Sequence, residues 1–545
     1  MVQKVLVAIT SKIGGLGEAA FWLSLFALFS QLLALVRDRL LAHHFGAGTE
    51  LDIYYAAFKI PDLLFVTVAS LVSISALVPL FAKKETEGEK HLREATDSIF
   101  SVFTVFITFS CIAAWFLMPT LIHFFFDSLP LEAINKIIFL SRILLLSPFL
   151  LGFSNFFGSI VQYEKRFILY SLSPLLYNIG IIVGLIFGID EYGVTAVIVG
   201  VVLGALLHLL LQASFVLTSA LKPRFTLAIK WRDVYETALL SVPRTFALSV
   251  VTFVGFLFAA LASKLGEGSI AIFNLSFNLQ SAPLSLIGVS FSLAAFPALA
   301  VSAARKNVEE IIERISDGLR QIIFWSLPAT ALIIILRAHI VRVVLGSGNF
   351  DWDATRLTAA VLALFVVSTV FQSIQLFLSR SHYALGKTRW PLIGNLLGGL
   401  VAVILAFLSI NLFESVLGLQ TILSLIARAL NISHLATQIL ILPVAYSIGS
   451  ILTSLILYGA LGSLRSPIWS KVRKVLFHSC LTGVASGLGA YSILSITDHL
   501  FNLDTFFGVL THGFMAGLFG IAVGALVLYL LKNEEFEKLL HYRAH

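Results

Sequence analysis

The chain has 545 residues, 58% of them hydrophobic and 12% charged, about half the charge expected of a soluble domain. So few charges exclude the several soluble domains that this length would otherwise imply. Two cysteines, Cys111 and Cys480, exclude a disulfide scaffold and a Cys-rich zinc site, and the net charge of +7 is distributed as for a membrane surface rather than for nucleic acid.

Residues 98–126, 192–221, 390–413, 429–464 and 505–531 contain no Asp, Glu, Lys or Arg. Each run exceeds the roughly 20 residues that a helix needs to cross a bilayer. The alternation of membrane β-strands is absent, so the spans are helical. In chain order, fourteen spans are predicted, at 18–43, 51–82, 98–126, 133–161, 167–188, 192–219, 234–263, 268–302, 317–345, 354–384, 390–413, 435–461, 473–496 and 505–531. The interval 414–434 reads as a short interfacial helix. Residues 1–17 carry Lys4 and Lys12 and show no cleavable signal peptide.

Loop charges set the orientation. With the N-terminus inside, the inward loops receive Lys83, Lys84, Lys165, Arg166, Lys222, Arg224, Arg305, Lys306, Lys387, Arg389, Lys471 and Lys474. The outward loops carry few cations, chiefly Lys264, Arg356 and Arg428. This is the positive-inside bias, and the even count returns the C-terminus to the cytoplasm. No loop is long enough for a soluble catalytic domain.

The bundle is predicted to contain a repeat. Phe45-Gly46-Ala47-Gly48 and Leu265-Gly266-Glu267-Gly268 are both G-x-G turns leading into a span. Phe58-Lys59-Ile60 then corresponds to Phe277-Asn278-Leu279, and Val72-Ser73-Ile74-Ser75 to Val289-Ser290-Phe291-Ser292. Six spans separate the copies, so both point the same way. Two six-helix lobes are therefore expected, residues 1–222 and 223–465, with spans thirteen and fourteen and a tail at 466–545. Parallel repeats of this kind are a transporter design.

Charges inside the spans mark the candidate site. Arg37, Asp38 and Arg39 precede the turn at Gly46, and Asp52 and Lys59 follow it. At about 1.5 Å per residue, Arg37 and Lys59 lie roughly 12–18 Å below the outer turn, near half depth. Cations there face a wet cavity or a partner. One reading is a structural ion pair closing the hairpin. The other is a cavity in which two deep cations receive an anionic headgroup, a phosphate or diphosphate. Arg142 in span four is a further deep candidate, for the cavity or for helix packing. His43-His44 diverge by about 100° on a helix and make a poor metal pair. No Walker-type loop, no H-E-x-x-H and no nucleophile–base spacing is present, so neither an enzyme nor ATP-driven transport is expected.

At these residues the chain resembles a known family. The stretch Ser30 to Phe81 holds Arg37-Asp38, Ala42, Phe45-Gly46-Ala47-Gly48, Asp52 and Ala57-Phe58-Lys59-Ile60-Pro61. It is similar to the N-terminal signature of the MurJ/MviN lipid II flippases of the MOP exporter superfamily. Arg166-Phe167 with Ser173 to Asn178, and Phe377 to Arg380 through Lys387 to Pro391, are supporting matches. The resemblance covers nearly all of the chain and implies fourteen spans and a multi-pass protein of the bacterial cytoplasmic membrane. It also implies alternating access of lipid II from the inner to the outer leaflet. It places Arg37, Asp38, Asp52 and Lys59 around a central cavity. No cofactor is implied; the energy would come from the membrane potential or a monovalent ion. The substrate partner is a polyprenyl-diphosphate-linked peptidoglycan precursor, and a monomer is expected.

The chain also departs from the family. Cations usual in the family fall on Gln31, Phe65 and Asn278, and a position linked to sodium binding falls on Phe258. This leaves open a divergent flippase relying on Arg37 and Lys59, or an exporter of another polyprenyl-linked oligosaccharide or small molecule. A non-transporting membrane scaffold, the third reading, leaves the deep cations unexplained.

Overall fold

The computed structural model describes residues 16–430 and 434–542. Among them the chain is all helical, without a strand, as backbone groups that must bond internally in lipid require. Among the described residues, twelve helices are long and apolar enough to cross a membrane, and they fall one for one on predicted spans three to fourteen. The first predicted span lies on α1, Leu16–Phe45. The second is divided into α2, Thr49–Val68, a 3-10 turn at Ala69–Val72, and α3, Ile74–Glu87. Neither α2, with Glu50, Asp52, Lys59 and Asp62 along it, nor the short α3 belongs to the twelve.

The chain continues with α4 (Glu89–Phe125), α5 (Leu131–Leu144), α6 (Leu146–Tyr163), α7 (Phe167–Tyr192), α8 (Val194–Val216), α9 (Trp231–Ala262) and α10 (Ser269–Pro283). A π turn at Leu284–Val289 leads to α11 (Ser290–Ala304), then α12 (Val308–Val344), α13 (Trp352–Ala384) and α14 (Arg389–Asn411). The short helix expected within 414–434 is α15, Leu417–Leu430. Last come α16 (Ile441–Gly459), α17 (Arg465–Thr497), α18 (Phe506–Leu530) and α19 (Glu534–Tyr542). Helices α12 and α17 begin more than two turns before their predicted spans. Their first turns are charged, and the Asn307 side chain accepts a hydrogen bond from the Glu310 amide at 3.2 Å, an N-cap that lets α12 start before its apolar stretch.

The helices form two compact units, residues 1–270 and 271–545. In the first, α1 packs on α7, α7 on α8, and α2 on α5 and α9. Helix α9, counted by the repeat with the second lobe, is thus packed with α2 and α4. Phe125 and Phe256 meet at 4.5 Å between ring centroids, and the Ser241 hydroxyl donates to the Leu71 carbonyl at 2.7 Å. The α7–α8 seam is made by small residues: a methyl on Gly180 would come 2.3 Å from the Gly204 Cα, and one on Gly184 2.6 Å from the Ala196 carbonyl. Backbones this close are the membrane use of glycine.

In the second unit α12 packs on α13, α17 and α18, and α16 on α13 and α14. Its core joins Leu299, Ile315, Leu319, Ile322, Phe377 and Leu457, all buried. Each copy of the V-S-x-S element falls on the interruption of its span: Val72-Ser73 joins the 3-10 turn to α3, and Val289-Ser290 joins the π turn to α11. Large exposed side chains such as Phe109, Phe116, Phe187, Phe477 and Phe514 would be a liability in water and are ordinary against lipid.

Candidate substrate-binding cluster

The first unit brings Arg37 and Asp38 into one pair. The Arg37 Nε and Nη2 atoms both donate to Asp38 Oδ1, at 3.0 and 2.8 Å, and Nη1 donates to Asn178 Oδ1 of α7 at 3.4 Å. Asn178 in turn donates to Ser30 Oγ and to the Pro174 carbonyl, each at 3.2 Å. Packing of α1 on α7 therefore aims the guanidinium. Asp38 is buried, whereas the Arg37 side chain keeps 20% of its exposure. Asp38 thus neutralises the guanidinium on one edge, and Asn178 holds the other.

Lys59 lies on α2 and is partly exposed; Asp62, one turn further, is exposed. The charge of Asp62 acts on Lys59 and on Arg37, and Tyr54 and Tyr177 lie in the same field. Tyr54 stacks its edge on Tyr55, with centroids 5.2 Å apart. The cluster thus draws on α1, α2 and α7.

Asp52 is placed elsewhere. It is buried, and its Oδ2 accepts from the Gly268 amide at 2.7 Å. In the opposite sense, Glu267 Oε1 accepts from the Thr49 amide at 3.1 Å and the Thr49 hydroxyl at 2.6 Å. These bonds hold the Glu267 carboxyl below the usual carboxylate range. The two G-x-G turns therefore interlock. Gly268 has φ +78°, and a methyl there would lie 2.0 Å from the Ala47 carbonyl oxygen. Asp52 ties this joint together and is not brought to Arg37 or Lys59 by any of these bonds.

Arg142 is not drawn into the cluster either. Its Nε donates to the Trp115 carbonyl at 3.3 Å, and its guanidinium carbon lies 4.2 Å from the centre of the Trp115 ring, a contact between α5 and α4. Asn278 belongs to the second unit, on α10, and is half-buried. Of the positions where family cations are absent, Gln31 and Phe65 are partly exposed; Phe258, at the sodium-linked position, is fully buried.

At the other end of the first unit, Lys84 contacts Asp233 and Glu87, each at 2.8 Å, and Lys83 contacts Glu236 at 2.7 Å. The two carboxylates raise the Lys84 ammonium above its ordinary range. Sequence reasoning counted Lys83 and Lys84 only for topology. It also passed over Asp62 and Asn178. Asp62 carried a signal, being a carboxylate within a predicted span one turn from Lys59. Asn178 lies in the Ser173 to Asn178 match, but its bond to Arg37 depends on how α7 meets α1.

The family model described as "Lipid II flippase MurJ" matches residues 41–511. A "Probable lipid II flippase MurJ" of Thermotoga maritima is 26% identical over 525 residues, covering 96% of this chain and 98% of that protein. The "Lipid II flippase MurJ" of Burkholderia cenocepacia is 24% identical over 388 residues, 69% of this chain and 74% of that one. Among solved structures, "Lipid II flippase MurJ, inward closed conformation" aligns with a TM-score of 0.73 at 23% identity, over 95% of this chain and 99% of that one. A MATE-family multidrug transporter of the MOP superfamily aligns with a TM-score of 0.66 at 14% identity, over 81% and 96%.

Proposed function

Because the chain belongs to the lipid II flippase MurJ family, we propose that it moves lipid II from the inner to the outer leaflet of the bacterial cytoplasmic membrane by alternating access. The observation that carries this reading is the family match over residues 41–511, joined to the charged cluster around Arg37 and Lys59. The headgroup diphosphate is bound by Arg37 and Lys59, through charge-assisted hydrogen bonds. Asn178 and Asp38 orient the guanidinium, and the polyprenyl tail stays in lipid. The protein works as a transporter rather than an enzyme, with lobes at 1–222 and 223–465 and with spans thirteen and fourteen and a tail at 466–545. It is a monomer with both termini in the cytoplasm. It needs no cofactor, and it draws its energy from the membrane potential or a monovalent ion.

The test is complementation in a bacterium depleted of its own protein of this family. Arg37→Ala and Lys59→Ala are each expected to impair growth while membrane yield stays near that of the parent. Normal complementation by the double variant would remove the headgroup assignment. If the parent chain fails to complement but transports another polyprenyl-diphosphate oligosaccharide, the substrate is that one, as the non-cationic residues at Gln31, Phe65 and Asn278 would accommodate.

A further inference from the structure

Lys59 and Asp62 stand one turn apart on α2, a spacing that puts both on one helix face. That face is open, while Ile60, Pro61 and Leu64 beside it are buried. The cluster holds two cations, Arg37 and Lys59, and two carboxylates, Asp38 and Asp62. Their situations differ. Asp38 is buried and accepts two bonds from Arg37, so it is fixed. Asp62 is exposed on the open face, and its charge reaches Lys59 along the helix and Arg37 on α1. The other titratable groups in its field are Tyr54 of α2 and Tyr177 of α7. A diphosphate brought to Lys59 thus meets a like charge one turn away.

We propose that Asp62 is a tethered counter-ion that competes with the anionic headgroup for Lys59 and so sets how tightly the headgroup is held. This rests on the reading of Arg37 and Lys59 as headgroup contacts. With the site empty, the Asp62 charge offsets that of Lys59 from one turn away. When the headgroup arrives, its phosphate oxygens take over that role, and on release Asp62 resumes it. A protonated Asp62 no longer competes. Binding therefore takes up a proton at pH values between the titration points of Asp62 in the empty and the occupied site, and release gives it back.

The experiment uses the purified full-length protein in detergent, with farnesyl diphosphate as the probe, titrated calorimetrically from pH 5 to 8. The affinity ratio of variant to parent at each pH cancels the probe's own titration. Asp62→Asn is expected to bind on the order of fivefold tighter at pH 7.5, as for a partly exposed ion pair, with the ratio falling toward one as pH drops. Asp62→Ser, a second neutral variant, is read the same way. Asp62→Glu should resemble the parent, and Lys59→Ala should bind more weakly and lose the gain when combined with Asp62→Asn. Unchanged or weaker binding by both neutral variants, with Lys59→Ala weakened, overturns the role of Asp62 and leaves the headgroup reading intact. Tighter binding by the neutral variants with Lys59→Ala unchanged overturns competition for Lys59. No effect of any variant, or no binding by the parent, overturns both.

Discussion

At Arg37 two donors converge on a single oxygen of Asp38, and a longer bond to Asn178 fixes the third. Asp38→Asn keeps an acceptor oxygen for Arg37 but removes the negative charge beside the guanidinium. Asp38→Asn is expected to cost about 1–3 kcal/mol, less than a fully buried pair would, because the Arg37 side chain is only partly buried. The thermal midpoint in detergent measures it; an unchanged midpoint would show that the pair carries no stability. Glu267 supplies a pH-dependent contact. Its carboxyl is held below the ordinary range by Thr49, so its contribution is present above the unfolded-state value and is lost as pH falls through the folded one. The parent should be more stable than Glu267→Gln at pH 7, and the difference should vanish in acid. A difference that persisted at pH 3 would contradict this. At this scale the sequence was half legible. The deep cations stood out because charges in a span are costly, and Asp62 could have been found by the same rule. The bonds of Asn178 and the turn-to-turn role of Asp52 depend on which helices touch, which no local pattern encodes.

The α7–α8 pair shows what fixes an element in lipid. Where apolar side chains gain nothing by leaving lipid, close backbone approach must supply the contact. Gly180→Val would drive side-chain atoms into the Gly204 backbone, where a Cβ alone already comes within 2.3 Å. It is expected to cost about 1–3 kcal/mol or more and to lower membrane yield. Gly255→Ala, with open space around it, should leave yield unchanged. Equal yields for the two would refute the seam. The spans were legible because uncharged runs of 24 to 36 residues leave few alternatives to a membrane helix. The interruption at Ala69–Val72 was not, since Leu71 there is held by Ser241, 170 residues away in the chain. Cysteine reporters test the direction of the elements. Those at Glu50, Asp190 and Asp498 should react from outside, and those at Glu87 and Lys471 from inside only. One inverted pair would overturn the predicted orientation in that region.

For the whole molecule, the family match and the fold set the class, while the polar cluster sets the chemistry. The deep charges come as cations each accompanied by a carboxylate, Arg37 with Asp38 and Lys59 with Asp62. This pattern suits a headgroup that is bound and then let go, rather than a site that stores an anion. The central claim is movement of lipid II between leaflets. The most direct measurement is a leaflet-resolved assay of lipid II after depletion of this protein in its native host. Lipid II should accumulate in the inner leaflet and fall in the outer one, and both should recover on re-expression of the parent but not of the Arg37→Ala, Lys59→Ala double variant. An unchanged distribution between the leaflets after depletion would contradict the assignment.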